Sequence, residues 1–348
     1  MTAGTANNLY FSQQPLSAGS GNVITPAVKV DVRDSWNNVL TADNTTSITM
    51  TIGNNPGGGT LGGTKTLQVV NGTATFDDLT IDKIGVGYTL VATAGALTKT
   101  SNPFDIAPFL YIQGTASMTA GTTNELTIVA KDIHGTVVTI YDGVKTLVFS
   151  GLNTAPDGSK PTVEGVDFGG DVTVTFVSGY STVNALTLVA YKVETGNLHA
   201  IDKMEPSINS TGYDLSVTVT SAAPSYLTVT GNSSMTAGTT NELTVTAKDI
   251  YGNTATSYAG AKNLTFSGLS DAPYGNTPTV EGVNFGTAVS VSFTSGVSNT
   301  NAATLVAYKA ETANVDVTDG TINSFGDPGY DLGLTVNPAT ASHLILTG

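Results

Sequence analysis

Cysteine is absent from this sequence of 348 residues, so no disulfide framework can hold the fold together. Charged side chains make up only 11% of the residues, against a usual share of about a quarter. Basic residues are the scarcer kind, with 13 Lys and Arg against 27 Asp and Glu. The formal charge of −14 would repel a polyanion, which excludes nucleic-acid binding by counterion release.

Long hydrophobic runs are missing as well. Apolar stretches reach only strand length, as in 186–191, and fall short of the roughly 18 to 20 residues that cross a bilayer. We therefore expect no membrane insertion. Residues 2–8 contain neither the basic segment nor the apolar segment of a signal peptide, so we expect Met1 to stand at a fragment boundary.

The sequence repeats itself at an offset of 117 residues. Residues 117–127 and 234–244 both read SMTAGTTNELT, and more than half of the positions in 110–222 are identical to their counterparts without a gap. Self-similarity at a fixed period indicates copies of one structural unit. The sequence therefore predicts module 2 (108–223) and module 3 (224–340), followed by the opening strand of a further repeat at 341–348.

Residues 7–107 align as a diverged relative, module 1. In this alignment Asp34 falls on Asp249 and Asn37 falls on Gly252. Glycine adopts left-handed backbone conformations without a steric penalty, and asparagine is the next most tolerant residue. We therefore expect the same turn in both modules.

Within each module, apolar and hydroxyl side chains alternate. Residues 243–247 and 289–293 show this period of two, which is typical of a strand with one face in a core and one in water. Seven or eight such runs per module are separated by Gly, Asn, Asp and Pro. The pattern predicts an all-β chain of two-sheet sandwiches.

Three motifs of module 3 carry a family resemblance: D-x-x-G-N at 249–253, T-x-Y-x-G at 256–260, and Phe266-Ser267. They resemble the bacterial immunoglobulin-like repeats of surface proteins, including invasin- and intimin-like adhesins and S-layer-associated proteins. The resemblance implies tandem immunoglobulin-like Greek-key β-sandwiches on the outside of a bacterial cell. It also implies a non-enzymatic spacer or stalk, whose partners are adjacent modules or neighbouring copies of the protein.

No catalytic or cofactor-binding residue is predicted. A histidine that serves as a catalytic base should persist in near-identical copies, but all three are replaced at the offset positions: His134, His199 and His343. The G-x-G-x-x-G pattern at 57–62 precedes a predicted strand rather than the helix that a dinucleotide site requires. Four repeated carboxylates could suggest glycoside hydrolysis, but we expect them to serve as surface charge or turn contacts: Glu164, Glu194, Glu281 and Glu311.

A structural calcium ion is the candidate cofactor. Ca²⁺ takes about six to eight oxygen ligands from flexible segments. Four acidic residues lie in or beside 314–329, a stretch that differs strongly from its counterpart 197–212: Asp316, Asp319, Asp327 and Asp331. The alternative is that these are solvated loop acids.

Two other functions remain open. The divergent loops 197–212 and 314–329 could bind a host or matrix glycan or protein, and repeated tyrosines could stack on sugars, although packing is the favoured role of Tyr141, Tyr191, Tyr258 and Tyr308. Alternatively, the C-terminal strand could complete a sheet in another molecule, forming a filament by strand addition. That interaction strand consists of His343, Leu344, Ile345 and Leu346.

Overall fold

The computed structural model describes residues 5–326 and 329–342. This part of the chain contains strands and turns and no helix, so none of its segments forms a helix that could cross a membrane. The all-β prediction is confirmed. Alternation of burial follows the sequence pattern: along Ala288–Thr294, the side chains of Val289, Val291 and Phe293 are buried and those between them are exposed.

Module 1 contains twelve strands, which form sheets of three, four, three and two strands. The strands are β1 (Asn8–Gln13), β2 (Ala18–Gly19), β3 (Val28–Arg33), β4 (Ser47–Ile52), β5 (Leu61–Gly62), β6 (Thr66–Gln68), β7 (Thr73–Phe76), β8 (Thr80–Ile81), β9 (Gly85–Tyr88), β10 (Leu90–Ala94), β11 (Leu97–Thr100) and β12 (Phe104–Ala107). Their sheet orders are β1-β3-β7, β11-β10-β4-β6, β2-β12-β9 and β5-β8.

Module 2 contains a sheet of eight strands, called the large ladder below, and a sheet of four short strands, called the small sheet. Its strands are β13 (Phe109–Gln113), β14 (Ser117–Thr119), β15 (Thr123–Glu125), β16 (Thr127–Lys131), β17 (Gly143–Ser150), β18 (Thr162–Val163), β19 (Val166–Asp167), β20 (Asp171–Val177), β21 (Tyr180–Ser181), β22 (Thr187–Val189), β23 (Glu194–Asp202) and β24 (Leu215–Thr220). The ladder runs β13-β16-β21-β20-β17-β23-β24-β14, and the small sheet runs β15-β22-β18-β19.

Module 3 repeats this arrangement strand for strand. Its strands are β25 (Pro224–Thr230), β26 (Ser234–Thr236), β27 (Thr240–Glu242), β28 (Thr244–Asp249), β29 (Gly260–Ser267), β30 (Thr279–Val280), β31 (Val283–Asn284), β32 (Ala288–Thr294), β33 (Val297–Ser298), β34 (Thr304–Val306), β35 (Glu311–Thr318) and β36 (Leu332–Asn337). The ladder is β25-β28-β33-β32-β29-β35-β36-β26, and the small sheet is β27-β34-β30-β31.

The described residues thus form more strands per module than the seven or eight expected. The reason is that several extra strands are only two or three residues long, such as β30 and β33, and are too short to show an alternating pattern.

Buried apolar side chains form three clusters, one from each module. The cluster of module 2 includes Phe149 from the large ladder together with Val163 and Leu188 from the small sheet. Side chains of both sheets therefore fill one core, as in a β-sandwich.

The turn predicted from the alignment of modules 1 and 3 is confirmed. Asn37 has a φ of 69° and Gly252 a φ of 78°, both in the left-handed region. In each case the residue's N–H donates to the carbonyl of the aspartate three positions earlier, over 3.0 Å. Asparagine thus serves where the other modules have glycine.

The prediction that 197–212 and 314–329 are loops throughout is wrong at their beginnings. Strand β23 continues to Asp202 and β35 continues to Thr318. Leu198 and Ala200, like Val315 and Val317 in module 3, are buried at alternate positions. Low identity between the copies hid this period of two, because similar burial does not require identical side chains.

The ungapped alignment is also wrong within these segments. Ser210 bonds with both backbone groups of Ala200, and the residue that does the same with Val317 is Ser324. The serines are 114 positions apart, whereas the strand residues are 117 apart. The alignment therefore shifts by three residues within the segment and returns to the offset of 117 before the last strand of the module.

The described residues do not include one calcium candidate, Asp327, or the proposed interaction strand of His343, Leu344, Ile345 and Leu346.

Candidate functional site

The loop that follows strand β28 of module 3 is a compact turn closed by an aspartate. The Oδ1 atom of Asp249 accepts hydrogen bonds from the backbone N–H groups of Tyr251, over 3.0 Å, and Asn253, over 2.9 Å. Asp249 is fully buried, so these bonds replace the water that its carboxylate loses. The D-x-x-G-N motif therefore builds a fixed loop, and it does so where module 3 meets module 2.

Asn253 connects the two modules. Its Nδ2 donates to Asp249 Oδ2 over 2.9 Å, which orients the amide, and to the backbone carbonyl of Tyr191 over 2.7 Å. Its Oδ1 accepts from the backbone N–H of Val193 over 2.9 Å. Both contacts to module 2 are made with main-chain groups two residues apart, so the amide holds that segment at two points.

Tyr251 adds an aromatic contact beside this pair of bonds. Its ring lies 4.9 Å from the ring of Tyr191, measured between centroids, at an interplanar angle of 59°. The backbone carbonyl of Tyr251 accepts from the N–H of Asp157 over 3.2 Å. Burial raises the pKa of Tyr251, in agreement with the position of its hydroxyl against Gly121 of module 2.

The linker between modules 2 and 3 is held by the same loop. Asp249 Oδ2 accepts from the backbone N–H of Ala222 over 3.0 Å, and the N–H of Thr256 donates to Ser221 Oγ over 3.1 Å. Because the linker residues are bonded to module 3, little free chain remains between the two sandwiches. This set of contacts is called the 2/3 joint below.

The joint between modules 1 and 2 has different chemistry. Thr136 occupies the position of Asn253 and has no side-chain amide to bridge the modules. Instead, Ile133 lies against Gly21 and the ring of Phe109 against Gly19. The Nε2 of His134 is 3.8 Å from Asp82 Oδ2, at the outer limit of an ion pair. This 1/2 joint is mainly apolar.

A cavity of about 190 Å³ lies at the 1/2 joint. Its walls come from both modules and include Ile84, Pro108, Ile140 and Ile208. The lining is apolar with few polar groups, among them Glu205 and Asp105. Such a cavity offers hydrophobic contact but no convergent set of reactive groups.

The structure separates the calcium candidates by role. Asp319 accepts hydrogen bonds from the N–H groups of Thr321 (2.8 Å) and Ile322 (2.9 Å) and from the hydroxyl of Tyr258 (2.8 Å). Its carboxylate therefore closes its own loop. Within residues 5–326 and 329–342, no group of three or more His, Asp or Glu side chains is arranged to hold a metal ion.

Asp316 and Asp331 are brought together as a carboxyl pair. Burial, followed by a hydrogen bond to Asp331 and repulsion by its charge, raises the pKa of Asp316 to about 6. At the same two positions module 2 has His199 and Asp214, with Nδ1 of the histidine 2.8 Å from the carboxylate. Module 2 thus has a histidine–aspartate pair where module 3 has two carboxyl groups joined by a hydrogen bond.

Ser210 joins His199 and Asp214, but the three do not form a catalytic relay. The serine Oγ is 3.0 Å from His199 Nδ1 and 2.6 Å from Asp214 Oδ1, so serine and aspartate meet the same imidazole nitrogen. A relay needs them on opposite nitrogens. Ser210 is also fully buried and receives the backbone N–H of Ala200. The arrangement satisfies a buried loop.

The repeated glutamates make turn contacts. Glu164 Oε1 accepts from the N–H of Thr187 over 2.6 Å, and Glu281 does the same with Thr304 over 2.7 Å. Burial tends to raise the pKa of Glu194, but its hydrogen bonds from Asn153 outweigh this effect and hold the pKa below its usual value. Glu311 accepts the N–H of Ser270 in the corresponding way.

Two of the repeated tyrosines are core residues. Tyr141 is 4% exposed and Tyr258 is 5% exposed, and each packs edge-on against a phenylalanine. Tyr141 donates to Asp202 Oδ2 over 2.7 Å. These rings are not available to stack on a sugar. Tyr191, by contrast, lies in the 2/3 joint.

Sequence reasoning missed the role of the D-x-x-G-N motif at the joint. The alignment predicts a turn at this motif, and its aspartate does close a turn. The signal for the joint is the difference between copies: Asn253 is replaced by Thr136, and Tyr251 by His134, although their surroundings are conserved between the two modules. Such exchanges are expected where each loop meets a different neighbour.

No protein-family profile and no curated protein matches the chain. Solved structures do match. The adhesin InvE of Yersinia pseudotuberculosis is 16% identical over 63% of this chain and 61% of its own, with a TM-score of 0.25. Domains 4–9 of the surface layer protein SbsC are 14% identical over 96% of this chain and 47% of theirs, with a TM-score of 0.21.

A protein of Corynebacterium diphtheriae described as membrane-anchored is 12% identical over 97% of this chain and 94% of its own, with a TM-score of 0.24. The matches also include a β-glucuronidase of Parabacteroides merdae. The chain spans less than two thirds of the length of the first two matches. Likeness at this level assigns no function.

Proposed function

We propose that this chain is a non-enzymatic spacer of an extracellular bacterial surface protein of the adhesin or S-layer type. The observation that carries the proposal is the two-point contact of Asn253 with the main chain at Tyr191 and Val193. Domains joined by a linker move relative to one another unless their interface is large or well bonded. Here hydrogen bonds hold one sandwich on the next, which is what a spacer that maintains a distance requires.

The hydrogen bonds of the 2/3 joint are numerous enough to keep the two modules docked. Four of the hydrogen bonds in the 2/3 joint connect Asn253, Tyr251 and Asp249 to backbone groups of module 2 and the linker. At about 0.5 to 1.5 kcal/mol net for each bond, their sum is several times RT. Module 3 should therefore remain docked on module 2 for most of the time.

Small-angle X-ray scattering of the whole chain tests the spacer function. We expect the pair-distance distribution of an elongated particle, with a long tail beyond the width of a single sandwich. A symmetrical, bell-shaped distribution would show that the modules fold back on one another and would contradict the proposal. A matched measurement on Asn253→Thr should give a broader set of shapes, because one module is then freer to move.

A second function, binding through the divergent loops, is favoured by their exposed apolar side chains. Met204 is 77% exposed and Phe325 is 46% exposed, and both follow the end of the corresponding strand, β23 or β35. Exposed hydrophobic side chains that group into a patch on a loop surface mark sites of interaction with proteins and ligands. We propose that these loops are the part of the chain that would meet a ligand.

Loop exchange tests this second function. Replacing 314–329 by 197–212 gives a chain in which both modules carry the same segment, and an array of immobilised glycans serves as the probe. A changed binding profile with an unchanged circular dichroism spectrum would support the loop function. Identical profiles, or no binding by either chain, would contradict it for glycans.

A further inference from the structure

The loop that follows strand β3 of module 1 has the same internal geometry as the loop of the 2/3 joint. Asp34 Oδ1 accepts from the N–H groups of Trp36 and Asn38, each over 2.9 Å, as Asp249 does from Tyr251 and Asn253. The N–H of Asp34 donates to the carbonyl of Asn38 over 3.0 Å. The corresponding bond in module 3 measures 2.9 Å. The two loops correspond bond by bond.

The side chains that make the 2/3 joint have equivalents in module 1. Asn38 stands in the place of Asn253, and its Nδ2 donates to Asp34 Oδ2 over 3.2 Å, the contact that orients the amide. Trp36 stands in the place of Tyr251. Module 2 has neither feature, since its loop carries His134 and Thr136.

In module 1 these groups face solvent. Trp36 is 85% exposed, and Asn38 is exposed as well. Trp36 is the sole tryptophan of the sequence. Tryptophan has a large apolar ring and a polar N–H, and such residues are enriched among the anchors that dominate protein interfaces.

The surface that receives such a loop recurs on module 3. Residues 307–309 read Ala-Tyr-Lys, as do residues 190–192, and Lys309 pairs with Glu311 over 3.1 Å. Gly121, which makes room for the ring of Tyr251, corresponds to Gly238. No heavy atom of the described residues, apart from its chain neighbours, lies within 4 Å of a Cβ built on Gly238. The receiving notch is thus present on module 3, and no residue of 5–326 or 329–342 fills it.

We propose that the Trp36 loop of one chain docks on the Tyr308 surface of module 3 in a second copy, with Asn38 bonded to the main chain at Tyr308 and Ala310. The contact reproduces the amide and ring contacts of the 2/3 joint between molecules, without the bonds that the linker makes there. It joins unlike surfaces, so it does not close on itself and extends the array end to end. This self-association goes beyond a spacer function within one chain.

The contact should be weak and salt-dependent. One loop end covers less area than a standard interface of about 1,600 Å², and there is no linker to hold the partners together. Each copy carries a formal charge of −14, so repulsion opposes association at low ionic strength. Added salt screens this repulsion and should strengthen the contact.

Fluorescence of Trp36 gives a direct test, because the signal has a single source. The whole chain is measured from about 1 μM to about 1 mM in about 0.15 M and 0.5 M salt, a range that covers weak dissociation constants. Docking should shift the emission to shorter wavelength and protect the ring from acrylamide. Sedimentation velocity on the same samples should show mass increasing in parallel. Emission and mass that stay constant over this range would overturn the proposal.

Three variants identify the surfaces. Asn38→Ala should raise the dissociation constant roughly ten-fold by removing the bridging amide, and Tyr308→Ala should weaken docking while Trp36 is retained as the reporter. Val177→Ala, at an exposed strand position, should change neither signal. A blue shift that persists unchanged in Tyr308→Ala would place Trp36 on another surface and contradict the proposed contact.

A fourth variant separates this contact from strand addition. The chain lacking 341–348 should still associate, because Trp36 and Tyr308 are retained. Loss of association in this variant, with Asn38→Ala unaffected, would assign assembly to the C-terminal strand and overturn the proposal.

Discussion

The side-chain amide of Asn253 donates a hydrogen bond to the backbone carbonyl of Tyr191 over 2.7 Å, so a residue of module 3 is bonded to the main chain of module 2. The offset position in module 2 is Thr136, whose side chain is too short and lacks the amide to reach across the 1/2 joint in this way. The two joints of one chain thus differ in the hydrogen bonds that cross them, and this difference follows from a single side chain.

Replacing Asn253 with Thr should loosen the 2/3 joint. The variant loses both bonds to module 2, at a cost of about 1 to 3 kcal/mol. The Val193 N–H, which donates to Asn253 Oδ1 over 2.9 Å, should then exchange its hydrogen at least ten-fold faster. Hydrogen exchange followed by NMR measures this amide directly. Asn263→Thr, at an exposed strand position, is the control and should leave that rate unchanged.

Gly121 and Gly238 are equivalent positions of modules 2 and 3, and only Gly121 lies in the 2/3 joint. Both have left-handed backbones, with φ of 78° and 81°, so an Ala at either site carries a backbone penalty of about 1 to 2 kcal/mol. At Gly121 alone the added Cβ would clash with the hydroxyl of Tyr251.

Gly121→Ala should therefore displace the ring of Tyr251 and accelerate exchange at Val193, whereas Gly238→Ala in dilute solution should not. Equal exchange rates at Val193 in the two variants would show that the tyrosine contact does not hold the joint.

Tyr141→Phe should destabilise module 2. The hydroxyl of Tyr141 donates to Asp202 Oδ2 over 2.7 Å, and Asp202 is 2% exposed. Removing the donor leaves a buried carboxylate oxygen with one partner fewer, at a cost of about 1 to 3 kcal/mol. The thermal transition of module 2 in calorimetry should move down accordingly. Tyr180→Phe makes the same chemical change at a half-exposed ring and should have an effect within about 0.5 kcal/mol.

Stability of module 3 should depend on the carboxyl pair of Asp316 and Asp331. The pKa of Asp316 is about 6 in the folded chain, against 3.8 for an ordinary aspartate. The folded module therefore holds a proton that the unfolded chain releases, so its free energy of unfolding falls as the pH rises through this interval. The shift would correspond to about 3 kcal/mol for a buried group, and we expect about 1 kcal/mol because the pair is partly exposed.

Asp316→His tests the cause by copying the pair that module 2 already has. At pH 7 the variant should be more stable than the natural chain by about 1 kcal/mol, because two like charges become a His–Asp contact. Thermal unfolding at pH 4.5 and pH 7 measures both values. Asp271→Asn, at an exposed acid of the same module, should leave the pH dependence unchanged. If the stability of Asp316→His falls between pH 4.5 and pH 7 as much as that of the natural chain, the carboxyl pair is not the cause of the fall.

Much of the local structure could be predicted from the sequence. Alternating apolar and hydroxyl residues predicted the strands, as at Val289–Phe293, because side-chain direction in a strand depends only on position along it. The alignment placed Asn37 on Gly252, and both adopt the same left-handed turn. Prediction failed where the two copies have few identical residues. Strand β23 continues past His199, because a strand needs buried side chains at alternate positions but not the same side chains. Ser210 corresponds to Ser324 because the two make the same hydrogen bonds, although they are not at the offset of 117 residues.

The amino-acid sequence by itself determined the β class, the repeat and the turns, since each depends on neighbours along the chain and on the backbone freedom of single residues. Tertiary structure alone decided what meets across a joint. Asn253 and Tyr191 are 62 positions apart, and their contact depends on how two folded sandwiches pack against each other. The exposure of Trp36 was likewise decided by the tertiary structure. Loops with the same internal hydrogen bonds lie in a joint in module 3 and in solvent in module 1, depending on which surface is next to them.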